Sequence, residues 1–287
     1  MKRSLDGFGV IRPHTLVEAL AVLGGEEPLV PLAGGTALMA RIEAGTLAPA
    51  TLLDLSAVEE LRRPIGVNGA LTLPALATFR DARHHAEVCR RWPLLAAAAS
   101  TVGALAVQSR ATWAGNVAHA SPAAAGVPAL MAYDAEVELA GPQGNRRVPL
   151  AEFPLGYKQT ARTPGELITA LHVPPPPDGR REYYRKVAAR NHQAIAKTLL
   201  AGWLLLEGTR VKDLRLVFGA VAPFTLRATA TEQVIRGEEL DERRIAIAVK
   251  AMQDEIRPID DLRSTAHYRR VVSGNLLREF LGKNIIL

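Results

Sequence analysis

The sequence predicts an α+β fold in two parts, and three observations carry that prediction. A strand–helix–strand pattern broken by glycines spans residues 28–55. Further on, the four prolines Pro174–Pro177, followed by Asp178–Gly179, can join neither a helix nor a central strand and so divide the chain. Beyond them three strand-like segments come first and three helical ones follow, without the alternation of an α/β fold. The expected units are residues 1–173, with subdomains of about 1–57 and 58–173, and residues 179–287, a three-stranded antiparallel sheet with helices.

Each element has a local reason. Thr15 and Glu18 form a capping box, and Leu16, Ala19, Leu20 and Leu23 repeat at helical spacing until Gly24–Gly25 stops them. Pro28–Ala33 is short and apolar, as a buried strand requires. Gly34–Gly35 ends it, Ala37–Ala44 has helical pattern, and Thr51–Leu55 is a second strand. Asn68–Gly69 between apolar runs is a hairpin signal. Helical spacing covers Phe79–Cys89 and Leu94–Val107, and Ser121–Pro122 opens a helix to about Tyr133. Strands are expected at Glu136–Leu139, Arg146–Val148 and Leu167–Val173. After the prolines, strands at Tyr183–Ala189, Lys197–Leu206 and Leu214–Ala222 form a meander. Helices follow at Arg227–Ile235, Asp241–Ile256 and Thr265–Leu281.

Composition narrows the class. The chain has 287 residues, 48% hydrophobic and 22% charged, as in soluble globular proteins. No apolar run is long enough to cross a bilayer, and the start MKRSLDGFGV has no apolar signal core, so the expectation is a cytoplasmic protein with no membrane partner. Cys89 is the only cysteine, which excludes an internal disulfide, a thiolate metal site and an iron–sulfur cluster. The net charge is +6. Basic residues are scattered in pairs such as Arg62–Arg63, with no nucleic-acid motif, so no nucleic-acid partner is expected.

Two glycine-bearing turns carry the chemistry. The first, in Leu32–Gly45, reads LAGGTALMARIEAG; the second, in Ser109–Tyr133, reads SRATWAGNVAHASPAAAGVPALMAY. Each joins a helical segment, where backbone N–H groups can surround a phosphate. Together with Tyr133–Val137, Arg147–Phe153, Pro164–Ile168, Gly219–Pro223 and Tyr268–Arg270, these turns resemble the flavin-binding medium subunit of the molybdenum hydroxylases, the carbon monoxide and xanthine dehydrogenases. The resemblance covers almost the whole chain. It implies an FAD-binding domain of the vanillyl-alcohol-oxidase type followed by a small C-terminal domain. It also implies electron relay through FAD, with molybdenum on a separate large subunit and a 2Fe–2S cluster on a small one. The implied cofactor residues are Ala33, Gly34, Gly35, Thr36 and Ala37 in the first loop, Thr112, Trp113, Ala114, Gly115 and Asn116 in the second, and Lys186 facing the flavin or its phosphate.

The loops depart from the family pattern at several positions. Ala37 stands where Asp or Ser is usual, Ala114 replaces a glycine, Trp113 replaces a small aliphatic residue, and Ala125 replaces an Asp. An Asp on cofactor hydroxyls is worth about 1.5–3 kcal/mol, which Ala125 cannot supply. The Trp113 ring would either contact a ligand ring or fill the space of the flavin. Two readings therefore stand: an FAD-dependent oxidoreductase subunit with a modified site, or a flavin-free, stand-alone homo-oligomer that binds or transforms another small molecule in the old cleft. In the second, His119 and His192 are candidate acid–base groups, weighed against a loop histidine and a surface turn. No metal site is expected: His84–His85 lack partners at ligand spacing. Cys89 is expected in the core, as is the ladder Leu199, Leu200, Trp203, Leu204 and Leu205.

Overall fold

The computed structural model describes residues 7–25 and 29–285; Pro28, where the first buried strand was expected to begin, lies outside them. That strand is Leu29–Leu32. It pairs in parallel with Thr51–Asp54, whose other edge pairs in parallel with Gly9–Ile11. Gly9–Ile11 is exposed along its length and too short to show an apolar pattern, so periodicity could not reveal it. The helix Leu16–Leu23 starts with the expected capping box, Thr15 accepting from the Glu18 N–H while Glu18 accepts from Thr15. The helix Thr36–Glu43 makes the second crossover.

The next unit is a five-stranded antiparallel sheet in the spatial order Gly66–Asn68, Ala70–Pro74, Leu167–Val173, Glu136–Gly141, Gly144–Pro149. Leu167–Val173 lies in the middle, paired on both edges, which explains its near-continuous apolar sequence. Asn68 pairs with Ala70 across Gly69, whose φ of 71° no β-branched residue would adopt easily.

The helices around this sheet are shorter than the periodicity predicts. Phe79–Cys89 breaks at His85, which is extended, and Leu94–Val107 breaks at Thr101–Gly103, with Gly103 left-handed at φ 49°. The helix expected from Ser121 begins only at Val127 and ends at Ala132. Tertiary bonds are the reason. The Pro122 carbonyl accepts from the Ala220 N–H and the Gly126 N–H donates to Asn116 Oδ1, so the bond that would close a first helical turn is replaced.

After the prolines, Arg181–Ala188, Ala196–Glu207 and Arg210–Gly219 form the expected antiparallel meander. Leu226–Arg227 adds a fourth strand on Val217–Phe218, so the sheet is four-stranded, not three-stranded; two residues are too few to signal a strand. Alternation along Ala196–Glu207 gives the sheet two buried faces. Leu200 and Leu204 pack under the helices Glu242–Glu255 and Ala266–Gly282, against Met252 and Phe280. Leu199 and Trp203 face the N-terminal unit, where Trp203 Nε1 donates to the Ala132 carbonyl over 2.6 Å. Cys89, expected in the core, is exposed, and its thiol donates to the Arg83 carbonyl.

Candidate functional site

The first loop leaves the parallel sheet at Leu32 and turns at once into a helix. Gly35 makes that turn at φ 75° and serves as the N-cap of Thr36–Glu43. Its neighbour Gly34 has a different reason to be glycine. A Cβ on Gly34 would lie 1.9 Å from the Arg110 carbonyl oxygen and 3.1 Å from the Ala111 Cα. The first loop therefore rests directly on the main chain that enters the second. Among the described residues, the N–H groups of Gly34, Gly35, Thr36 and Ala37 have no intramolecular acceptor, and Thr36 and Ala37 are exposed.

The second loop is pinned more firmly. Thr112 caps the helix Trp113–Ala118, its hydroxyl accepting from the Gly115 N–H over 3.0 Å. The Trp113 N–H donates to the Ala77 carbonyl, and the Phe79 N–H to the Ala111 carbonyl. Asn116 Oδ1 accepts from the Gly126 N–H over 3.2 Å, tying the loop to the turn before Val127–Ala132. The Ala114 N–H has no acceptor among the described residues, and Gly115 is exposed.

Trp113 is where the structure corrects the ring-contact expectation. Its side chain is fully buried, with its ring centroid 4.3 Å from that of Phe79 in the hydrophobic core. The indole is neither a stacking surface for a ligand nor a plug between the loops. A large residue at this position supports the second loop from behind.

Ala125 lies in the seam between the two parts of the molecule. It is 8% exposed and packs with Ala196, Leu199 and Ala201 of the C-terminal sheet. The Tyr184 hydroxyl donates to the Ala125 carbonyl over 3.0 Å and lies 3.1 Å from Thr101 Oγ1. Lys186, two residues along the same strand, reaches the same seam, where its ammonium donates to the Thr101 carbonyl over 2.8 Å. Burial holds the Lys186 ammonium below its ordinary pKa. A half-buried cation with one protein acceptor retains two donors for an anion.

The histidines are elsewhere. His119 caps the C-terminal end of Trp113–Ala118, opposite to the end that carries the free N–H groups. Burial first, then the charges of Lys158 and Arg41, hold its imidazole below the ordinary value. His192 is exposed on a turn in which Arg190 donates to the His192 and Gln193 carbonyls. Neither histidine lines the cavity that adjoins the loops. Among the described residues no group of histidines, cysteines and carboxylates is arranged to hold a metal ion.

That cavity has a volume of about 760 Å³ and is lined by Ala33, Gly34 and Thr112 of the two loops. Sequence reasoning missed its other walls, which include Thr78, Arg80, Ser109 and Arg110. Ser109 and Arg110 directly precede the second loop, but their side chains acquire a common address with Thr78 and Arg80 only through the antiparallel bridge between Thr78 and Thr112. Exposed N–H groups on the first loop, a glycine that lets the main chains touch, and flanking positive charge suit the diphosphate of a dinucleotide.

Comparison with known proteins leads to the same place. Residues 6–176 match the family described as the FAD binding domain in molybdopterin dehydrogenase, and residues 182–283 match the CO dehydrogenase flavoprotein C-terminal domain. The glyceraldehyde dehydrogenase medium chain of Sulfolobus acidocaldarius is 30% identical over 92% of this chain and 94% of its own length. The xanthine dehydrogenase FAD-binding subunit of Escherichia coli is 26% identical over 90% of this chain and 89% of its own. A solved structure of carbon monoxide dehydrogenase from Hydrogenophaga pseudoflava superposes with a TM-score of 0.91 at 28% identity, covering 96% of both chains. The chain belongs to the family of FAD-binding medium subunits of the molybdopterin-dependent dehydrogenases.

Proposed function

We propose that this chain is the FAD-binding electron-transfer subunit of a molybdenum-hydroxylase-like oxidoreductase, with residues 1–173 as the FAD-binding domain and 179–287 as the C-terminal domain. The observation that carries the reading is the contact of Gly34 with the Arg110 carbonyl, which joins the first turn, with its free N–H groups, to the second in one cradle.

In this reading Ala33–Ala37 and Thr112–Asn116 hold the diphosphate, the first loop through its free main-chain N–H groups and the second through that of Ala114, so the side-chain departures at Ala37 and Ala114 are tolerated. Gly34 keeps the two loops in register. Asn116 and Thr112 hold the second loop rigid through the bonds to Gly126 and Gly115. Lys186 directs positive charge into the seam, and the packing of Ala125 against Ala196 and Leu199 keeps water from it. Bound FAD supplies the ability to take up two electrons and to pass them on singly. No residue of this chain acts as acid or base toward the hydroxylated substrate.

The single cysteine leaves iron to another chain. The partners are a large subunit with the molybdenum cofactor and a small 2Fe–2S subunit, together in the cytoplasm. The flavin-free reading has no observation in its favour, since the indole offered as a plug lies in the core.

The test is purification of the tagged chain with its co-expressed neighbours. The expected result is a yellow protein that releases about one FAD per chain on boiling and carries the two other subunits with it. Colourless protein that takes up no added FAD would overturn the reading.

A further inference from the structure

Positive charge is concentrated where the two loops meet. Arg62, Arg63, Arg80 and Arg110 line the cavity of about 760 Å³ that also contains Gly34 and Thr112. Asp81 is the carboxylate on that wall, and it is committed to the Thr78 N–H as part of a capping box. Other arginines of the same unit find acids, as Arg12 does with Asp54 and Arg90 with Glu87. Among the described residues none of the four cleft arginines has a carboxylate at ion-pair distance. The Arg62 side chain donates to the Ser56 carbonyl, and Arg80 reaches Ser109 Oγ only at 3.4 Å. Four like charges around one cavity repel one another, and an anion in the cavity removes that cost.

The cofactor loops lack what the arginines can supply. The side chains of Ala37 and Ala125 offer no hydrogen bond to a cofactor, and Ala125 is packed into an apolar seam. Guanidinium groups bind phosphate through charge and paired donors, and they reach it from exposed positions that leave the loops unchanged.

We propose that Arg80 and Arg110, with Arg62 and Arg63 on the same cavity, form an additional binding site for the phosphate-bearing adenylate half of the dinucleotide, next to the point where the two loops touch. The inference rests on the FAD reading of the cradle. It assigns the cofactor affinity of this chain to electrostatics at the cleft as much as to the glycine loops, and it makes that affinity sensitive to salt.

The experiment is an FAD titration of the flavin-stripped full chain, followed by quenching of flavin fluorescence, for wild type, Arg80→Ala, Arg110→Ala and the double variant. Each is repeated at low and high salt and with ADP as competitor. Thermal melting checks that each variant is folded, and Lys250→Ala, remote from the cleft, is the control. Each single variant should weaken FAD binding about fivefold and the double variant at least about tenfold. The double variant should also lose most of the salt dependence, and ADP should displace FAD from it less effectively. Arg110→Lys, which keeps the charge, should retain part of the affinity. Folded variants that bind FAD within about twofold of wild type, with the same salt dependence, would overturn the inference and leave the FAD reading intact. A wild-type chain that binds no FAD would overturn both.

Discussion

The Cα of Gly34 lies against the Arg110 carbonyl so closely that a methyl group there would sit 1.9 Å from the oxygen. This contact makes one site of two loops more than seventy residues apart in the chain. The obstacle is main chain, and it cannot move aside as a side-chain tip can. Gly34→Ala should therefore destabilise the protein by about 3 kcal/mol, the upper end for overpacking, and abolish flavin retention. Urea unfolding and flavin content check both outcomes; a variant with wild-type stability would show that the loops separate easily.

Trp113 offers a test of core against cofactor. With its ring buried against Phe79, Trp113→Ala should cost about 3–5 kcal/mol. Trp113→Phe, which fills most of the space, should cost much less and leave the visible flavin spectrum unchanged. A shifted flavin spectrum in the phenylalanine variant would place the indole next to the ring system after all.

Ala125→Asp restores the residue usual in the family, and the structure predicts no benefit to the flavin-stripped chain. The new carboxylate would enter the seam among Ala196, Leu199 and Ala201. The expected loss is about 2–3 kcal/mol, read as a lower denaturation midpoint. An unchanged midpoint would mean that the seam opens to admit water.

Lys186→Met separates binding from folding. Methionine keeps the apolar stem in the seam and leaves the Thr101 carbonyl without its donor, a loss of about 1 kcal/mol. FAD affinity should fall about tenfold in the same variant, because the seam loses its cation. Equal affinity in the two proteins would confine Lys186 to a structural role.

His119 sets a pH dependence. Burial, with Lys158 and Arg41 adding to it, lowers the imidazole pKa in the folded chain, so the unfolded chain binds that proton more readily. The contribution of the neutral ring is complete above the unfolded value of about 6.5 and is lost as the pH falls through it. Unfolding midpoints should decline between about pH 7 and about pH 5, and His119→Gln should flatten that decline. A steeper decline in the glutamine variant would reverse the assigned direction.

Much of the fold was legible because it is local. The capping box at Thr15, the Asn68–Gly69 hairpin and the strand Leu167–Val173 follow from neighbours in sequence, and the structure has each of them. The helix expected from Ser121 failed because Ala220, distant in sequence, and Asn116, in the preceding loop, take its first hydrogen bonds. Cys89 was misplaced because periodicity finds a helix face but not the side from which the rest of the molecule covers it.

By itself, the sequence determined the two-part α+β organisation, the two glycine turns and the family they resemble, since these depend on backbone preference and short-range pattern. Only the tertiary structure decided that Gly34 touches Arg110, that Trp113 faces the core, that Ala125 is sealed under the C-terminal sheet and that four arginines share one cleft. Direction of a side chain and proximity across the chain are set by how separate elements pack. Packing energy is spread over many distant contacts that no local window contains.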